Sequence, residues 1–157
     1  MKAKIHWQEG LSFTGVADSG FPIRMDGPKT VGGNAAGVGA MEMIALGLAG
    51  CTAMDVISIL QKKRQDITDF EVRIDAPRSA DHPQVFTRAI LTFIVTGHDV
   101  EESALLRAIE LAATKYCPAY AMLEQVFPIE IYYEIYAEED GKNHLVHQGV
   151  WQNLMFE

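Results

Sequence analysis

Glu42-Met43-Ile44-Ala45-Leu46-Gly47-Leu48-Ala49-Gly50-Cys51-Thr52-Ala53-Met54-Asp55-Val56 is the stretch on which the fold turns. From Met43 to Met54 it carries no charged side chain, and it lies inside a longer helical pattern running from Ala40 to about Lys63. Met41, Ile44, Leu48, Cys51, Met54, Asp55 and Ser58 recur at three- and four-residue steps down one side. Ala45, Leu46, Ala49, Ala53, Val56, Ile57 and Leu60 fill the others, so the helix is apolar nearly all round and belongs in an interior. Its length, about 35 Å at 1.5 Å per residue, exceeds what a small domain covers alone. Gly47 and Gly50 each cost a helix interior roughly 1 kcal/mol relative to Ala, which close packing against another backbone offsets. With Ala49 and Ala53 they predict a partner helix, supplied by a second subunit.

Outward from this helix the pattern changes period. Upstream, Lys2 to Gln8 and Leu11 to Val16 alternate as two short strands around a Glu9-Gly10 turn, and Pro22 to Met25 forms a third. Asp26 to Gly39 is a loop holding Pro28, Asn34 and glycines 27, 32, 33, 37 and 39. Downstream, Ile67 to Ala76 and Val85 to Gly97 read as strands. Asp99 with Glu102 resembles a capping box for a helix whose apolar face is Leu105, Ile109, Ala112 and Tyr116. Cys117-Pro118 ends that helix and opens a short one through Val126, with Cys117 as N-cap. A last strand spans Ile129 to Tyr136. Residues 137–157, with Val146, Val150, Trp151, Leu154 and Phe156, form an appendage of the same domain that either adds a strand or docks on a partner. The expected organisation is one domain over 1–136 plus this appendage, and the fold class is α+β, a mostly antiparallel sheet packed on a long central helix.

Composition narrows the function classes. The 157 residues are 48% hydrophobic and 22% charged, as in globular chains, with a net charge of −8. That acidity repels phosphate backbones, so no nucleic-acid partner is expected. The 12-residue uncharged run is short of the roughly 18 that a membrane span needs, so no membrane is expected either. The N-terminus supplies no apolar segment for export, and two cysteines without such a signal point to a reducing cytoplasm. There is no Gly-x-Gly-x-x-Gly after a strand, no Walker lysine and no Gly-x-Ser-x-Gly elbow. No metal and no cofactor are expected: no Cys-x-x-Cys occurs, and only His144-x-x-His147 has ligand-like spacing. Of the thiols, Cys117 gains from a helix N-terminus, which favours a thiolate. Cys51 sits mid-helix, where the dipole gives nothing and Asp55 one turn on opposes a second negative charge.

The central-helix run, the Gly32-Gly33 loop before it and Cys117-Pro118 between two later helices together resemble the OsmC/Ohr family of osmotically inducible and organic-hydroperoxide-resistance proteins, in its OsmC-like branch. The resemblance covers about residues 2–136 and implies an intertwined homodimer with the two central helices in contact. It implies a thiol-dependent peroxidase for small organic hydroperoxides. Cys51 becomes a sulfenic acid, Cys117 resolves it to a disulfide, and an external dithiol restores the thiols. Glu42 matches the motif glutamate, which in the family orients an arginine toward the thiolate. Nine residues before Cys51, it stands about 13.5 Å along the helix and half a turn off its face. Gln8-Glu9-Gly10-Leu11 holds no arginine, Arg24 is the one arginine before the central helix, and Ala40 replaces the usual proline. The alternative within the same family is a weakly active or non-catalytic dimer that senses redox state or binds a small molecule. Lipophilic hydroperoxides are expected to be preferred over hydrogen peroxide.

Overall fold

The computed structural model describes residues 1–152. Leu154 and Phe156, read above as part of the appendage, lie outside the described residues. The chain divides into two compact units, Met1–Leu46 and the residues from Gly47 onward.

The first unit is a three-stranded antiparallel sheet, β1 (Ala3–Glu9), β2 (Ser12–Ala17) and β3 (Pro22–Met25), in that order. The Asp26–Gly39 connection, Gly-rich as a mobile loop would be, is built instead around one carboxylate. Asp26 is buried and accepts backbone N–H bonds from Gly27 (2.8 Å), Asn34 (3.3 Å) and Ala36 (3.2 Å). Burial works against the charge, but these three donors and the nearby Arg24 outweigh it and hold the carboxyl below its ordinary range. Gly33 lies so close to the Gly27 backbone that a Cβ there would collide with it. Ile5, Trp7, Phe21 and Val31 of this unit are all more than half exposed.

The helix α1 (Ala40–Lys62) runs through the division between the units. In the second unit Leu48, Thr52, Val56 and Leu60 are buried, four residues apart, and set one stripe of the helix into the core. The rest is not all-round interior. Met54 is 68% exposed, and a Cβ added at Gly47 or Gly50 would meet nothing within 4 Å. By length and composition α1 is apolar enough to cross a membrane, although its longest uncharged run is short; of its most apolar 18 residues 28% is buried.

The second unit carries a four-stranded sheet ordered β4 (Asp66–Asp75), β5 (Ala89–His98), β6 (Ile129–Glu139) and β7 (Lys142–Trp151). The β4–β5 and β6–β7 pairs are antiparallel and β5–β6 is parallel, so the connection between β5 and β6 is a helical crossover. It consists of α2 (Glu102–Leu111), a π-turn (Ala112–Tyr116) and α3 (Pro118–Leu123). Leu91, Phe93 and Val95 of β5, Leu105 and Ile109 of α2, and Ile131 and Ile135 of β6 form the core with the α1 stripe.

Two local expectations change and one open alternative is decided. Asp99 does not cap α2: it adopts φ 51°, the N-cap is Glu101, and Glu101 N–H donates to the side-chain oxygen of Gln65 (2.7 Å). Tyr116 leaves the apolar face and is 49% exposed, because the wider π-turn rotates it away from the α-helical register. Residues from 137 onward extend β6 and then form β7, which takes the strand option as far as Trp151. Here Tyr133 lies against Gly149, where any side chain would strike the phenol ring. Tyr133 Oη donates to Glu102 (2.7 Å), and His147 stands 3.7 Å from the same carboxylate, tying the hairpin to the first turn of α2.

Candidate functional site

Two cysteines 66 positions apart meet in the second unit. Cys51 Sγ, Cys117 Sγ and a carboxylate oxygen of Asp55 all lie within 4.8 Å of one another, and both cysteines are free thiols. Cys51 and Asp55 share a face because four residues make about one turn of α1. Cys117 comes from the crossover. As the residue before Pro118 it is steered out of helical geometry (φ −77°, ψ 105°), and its N–H closes the π-turn on Ala112 O (2.9 Å). Its sulfur accepts the Tyr120 N–H at 3.3 Å, so it is the N-cap of α3 expected from the sequence.

The two sulfurs differ in surroundings. Cys117 is 2% exposed, whereas Cys51 is half-buried. Burial, reinforced by the neighbouring Cys51 sulfur, pushes the Cys117 thiol up to about 12, and the Tyr120 and Ala119 backbone donors only partly oppose this. The N-terminal position on α3, read from sequence as favouring a thiolate, is therefore overridden by desolvation. Tyr120, also buried, is pushed up to about 12 for the same first reason.

A chemical asymmetry follows. Iodoacetamide at pH 8 is expected to alkylate the native reduced chain once, at Cys51, with the second adduct appearing only on unfolding. Intact mass against time reads this, and two adducts at equal rates would show that Cys117 is not enclosed. The folded chain also keeps a proton on Cys117 that the unfolded chain releases between about pH 9 and 12. That contribution to stability is whole below pH 9 and falls as pH rises to 12, a slope that Cys117→Ala removes.

Glu42 belongs to the first unit, and its Oε2 accepts the Gly39 N–H at 2.7 Å, a cap on the first turn of α1. Sequence reasoning named both cysteines but treated Asp55 only as an electrostatic neighbour. Its four-residue offset from Cys51 was the available signal; the arrival of Cys117 beside it was not readable from spacing.

The OsmC-like protein family profile matches residues 32–132. The chain belongs to the OsmC-like family. It is 44% identical over 137 residues to protein YhfA of Escherichia coli K12, covering 87% of this chain and 99% of that protein. A crystal structure of a hypothetical protein from Aquifex aeolicus VF5 superposes with a TM-score of 0.77 at 26% identity, covering 88% of this chain and 97% of the other. An organic hydroperoxide resistance protein OsmC from Legionella pneumophila shares the fold at a TM-score of 0.61 and 13% identity, covering 85% and 94%.

Proposed function

We propose that this OsmC-like protein is a thiol-dependent peroxidase that reduces small organic hydroperoxides. The observation that carries the reading is the pair of sulfurs within 4.8 Å, one half-buried and one enclosed. Relatives named for organic hydroperoxide resistance support a redox role. Cys51, as thiolate, attacks the terminal peroxide oxygen. The O–O bond breaks, the alkoxide takes a proton and leaves as the alcohol, and Cys51 becomes a sulfenic acid. The Cys117 sulfur then attacks the Cys51 sulfur, water leaves and a disulfide forms. An external dithiol in a reducing cytoplasm regenerates both thiols by exchange. Glu42, whose Oε2 accepts the Gly39 N–H, would in this mechanism take the positioning role that the family resemblance implies.

Reduced protein treated with one equivalent of cumene hydroperoxide, then weighed with and without alkylation, tests the reading. Loss of two hydrogens and of both alkylatable thiols supports it; an unchanged mass defeats it. Hydrogen peroxide reacting as fast as cumene hydroperoxide would defeat the preference for lipophilic substrates. The second reading, a redox sensor or small-molecule binder with slow turnover, draws on one observation. Among the described residues of the second unit, no cation forms an ion pair with Asp55 beside the sulfurs.

We further propose that the active form is a homodimer in which α1 of each copy covers the other. Open space at Gly47 and Gly50 and the exposure of Met54 support it. Gly50→Leu is expected to shift sedimentation from dimer to monomer. A monomeric parent protein would overturn the assembly.

A further inference from the structure

Cys51 Sγ, Cys117 Sγ and an Asp55 carboxylate oxygen converge within 4.8 Å. Each is an acidic group, and among the described residues of the second unit no lysine, arginine or histidine forms an ion pair with Asp55. Groups that would each be negative when ionised thus stand together with no ion-paired cation from the described residues of their own unit. We infer that Cys51, Cys117 and Asp55 form a three-ligand site for a soft divalent cation of the zinc and cadmium class.

The donor set argues for that class. Two thiolates exclude magnesium and calcium, which take oxygen ligands, and favour ions that tolerate sulfur. Three protein ligands leave a fourth tetrahedral position for water, the open arrangement of zinc sites that do not merely hold a fold together. With metal–sulfur bonds of about 2.3 Å and metal–oxygen bonds of about 2.0–2.2 Å, donors around a tetrahedral ion stand roughly 3.5–3.8 Å apart. The observed span of at most 4.8 Å therefore has to close by up to about 1.3 Å, within the reach of side-chain rotation at Cys51 and Asp55. Binding is an exchange without redox change: two S–H bonds break, two metal–sulfur bonds form, and two protons leave to solvent. An occupied site holds no free thiol for a peroxide, and a disulfide holds no thiolate for a metal, so the two reactions exclude each other at the same atoms. Because the site rests on the three donors alone, it stands or falls separately from the peroxidase reading.

The test is an anaerobic titration of the reduced full chain with cadmium chloride, read by the thiolate-to-metal charge-transfer absorption, with zinc chloride as competitor. One cadmium per chain is expected, with the absorption lost in Cys51→Ser and in Cys117→Ser and displaced by zinc. Asp55→Asn, which preserves shape and retains both sulfurs, is expected to weaken binding at least about tenfold, since removing even an outer-shell partner costs 10–100-fold. No absorption at one equivalent, an unchanged signal in Cys51→Ser, or full affinity in Asp55→Asn would overturn the site. The hydroperoxide mass measurement on metal-free protein is unaffected by any of these outcomes, so failure of one proposal is distinguishable from failure of the other.

Discussion

Cys51→Ser is expected to lower turnover of cumene hydroperoxide by at least about 10³-fold under the proposed mechanism, because removing its nucleophile leaves only what binding and surroundings contribute. Serine keeps the size of the side chain but does not form an anion near neutral pH, and its oxygen cannot pass through the sulfenic acid stage. Cys117→Ser predicts a different defect. The first turnover survives, since Cys51 still attacks the peroxide, but the sulfenic acid is left without its neighbour at 4.8 Å or less. It then accumulates, is trapped by dimedone, or oxidises further under excess peroxide. Stopped-flow turnover with an external dithiol, followed by intact mass, separates the two variants. Equal steady-state activity of Cys51→Ser and the parent protein would remove the peroxidase assignment.

Phe93→Ala is expected to cost 3–5 kcal/mol, about the range for deleting a buried aromatic ring, from a total of only about 5–15 kcal/mol. Phe93 is 1% exposed on β5, opposite Val72 of β4 and Tyr133 of β6, and its ring centroid lies 6.3 Å from that of Phe70. The ring therefore joins all three strands, and no small movement refills its volume. Chemical denaturation reads the loss directly, and a change below about 1 kcal/mol would mean that this sheet does not hold the core together. Weakening it also loosens the crossover that carries Cys117, so Cys117 alkylation in the folded variant is expected to accelerate.

Local chemistry made much of this legible in the sequence. The 23-residue α1, the strand Pro22–Met25 and the Cys117 cap each depend on neighbours within a few positions, and each is found where the pattern places it. What escaped depends on partners distant in sequence. Asp99 carries the right residue type for a cap, but Gln65 of another segment satisfies the helix start instead. Tyr116 is the local exception: it fits an α-helical face, but the last turn before Cys117-Pro118 widens to a π-turn. Val85 to Arg88 are apolar or extended-favouring enough to read as strand, yet β5 begins at Ala89 because that is where pairing with Ile129 begins. The parallel pairing of β5 with β6 was carried only by the helical segment between them, which leaves open which strands it joins side by side. The same holds for Cys51 and Cys117, whose separation of 66 residues is silent on whether they touch.

That parallel pairing fixes when the two thiols can meet during synthesis. Cys117 is translated before Ile129, the residue with which β6 begins to seat the crossover against β5. A chain that ends between Cys117 and Ile129 contains both cysteines and has no β6 to hold the second beside the first. The dithiol is therefore a certificate of completed folding. Iodoacetamide would read the difference: finished molecules, with Cys117 enclosed, take one adduct, while nascent or truncated ones that leave both sulfurs open take two.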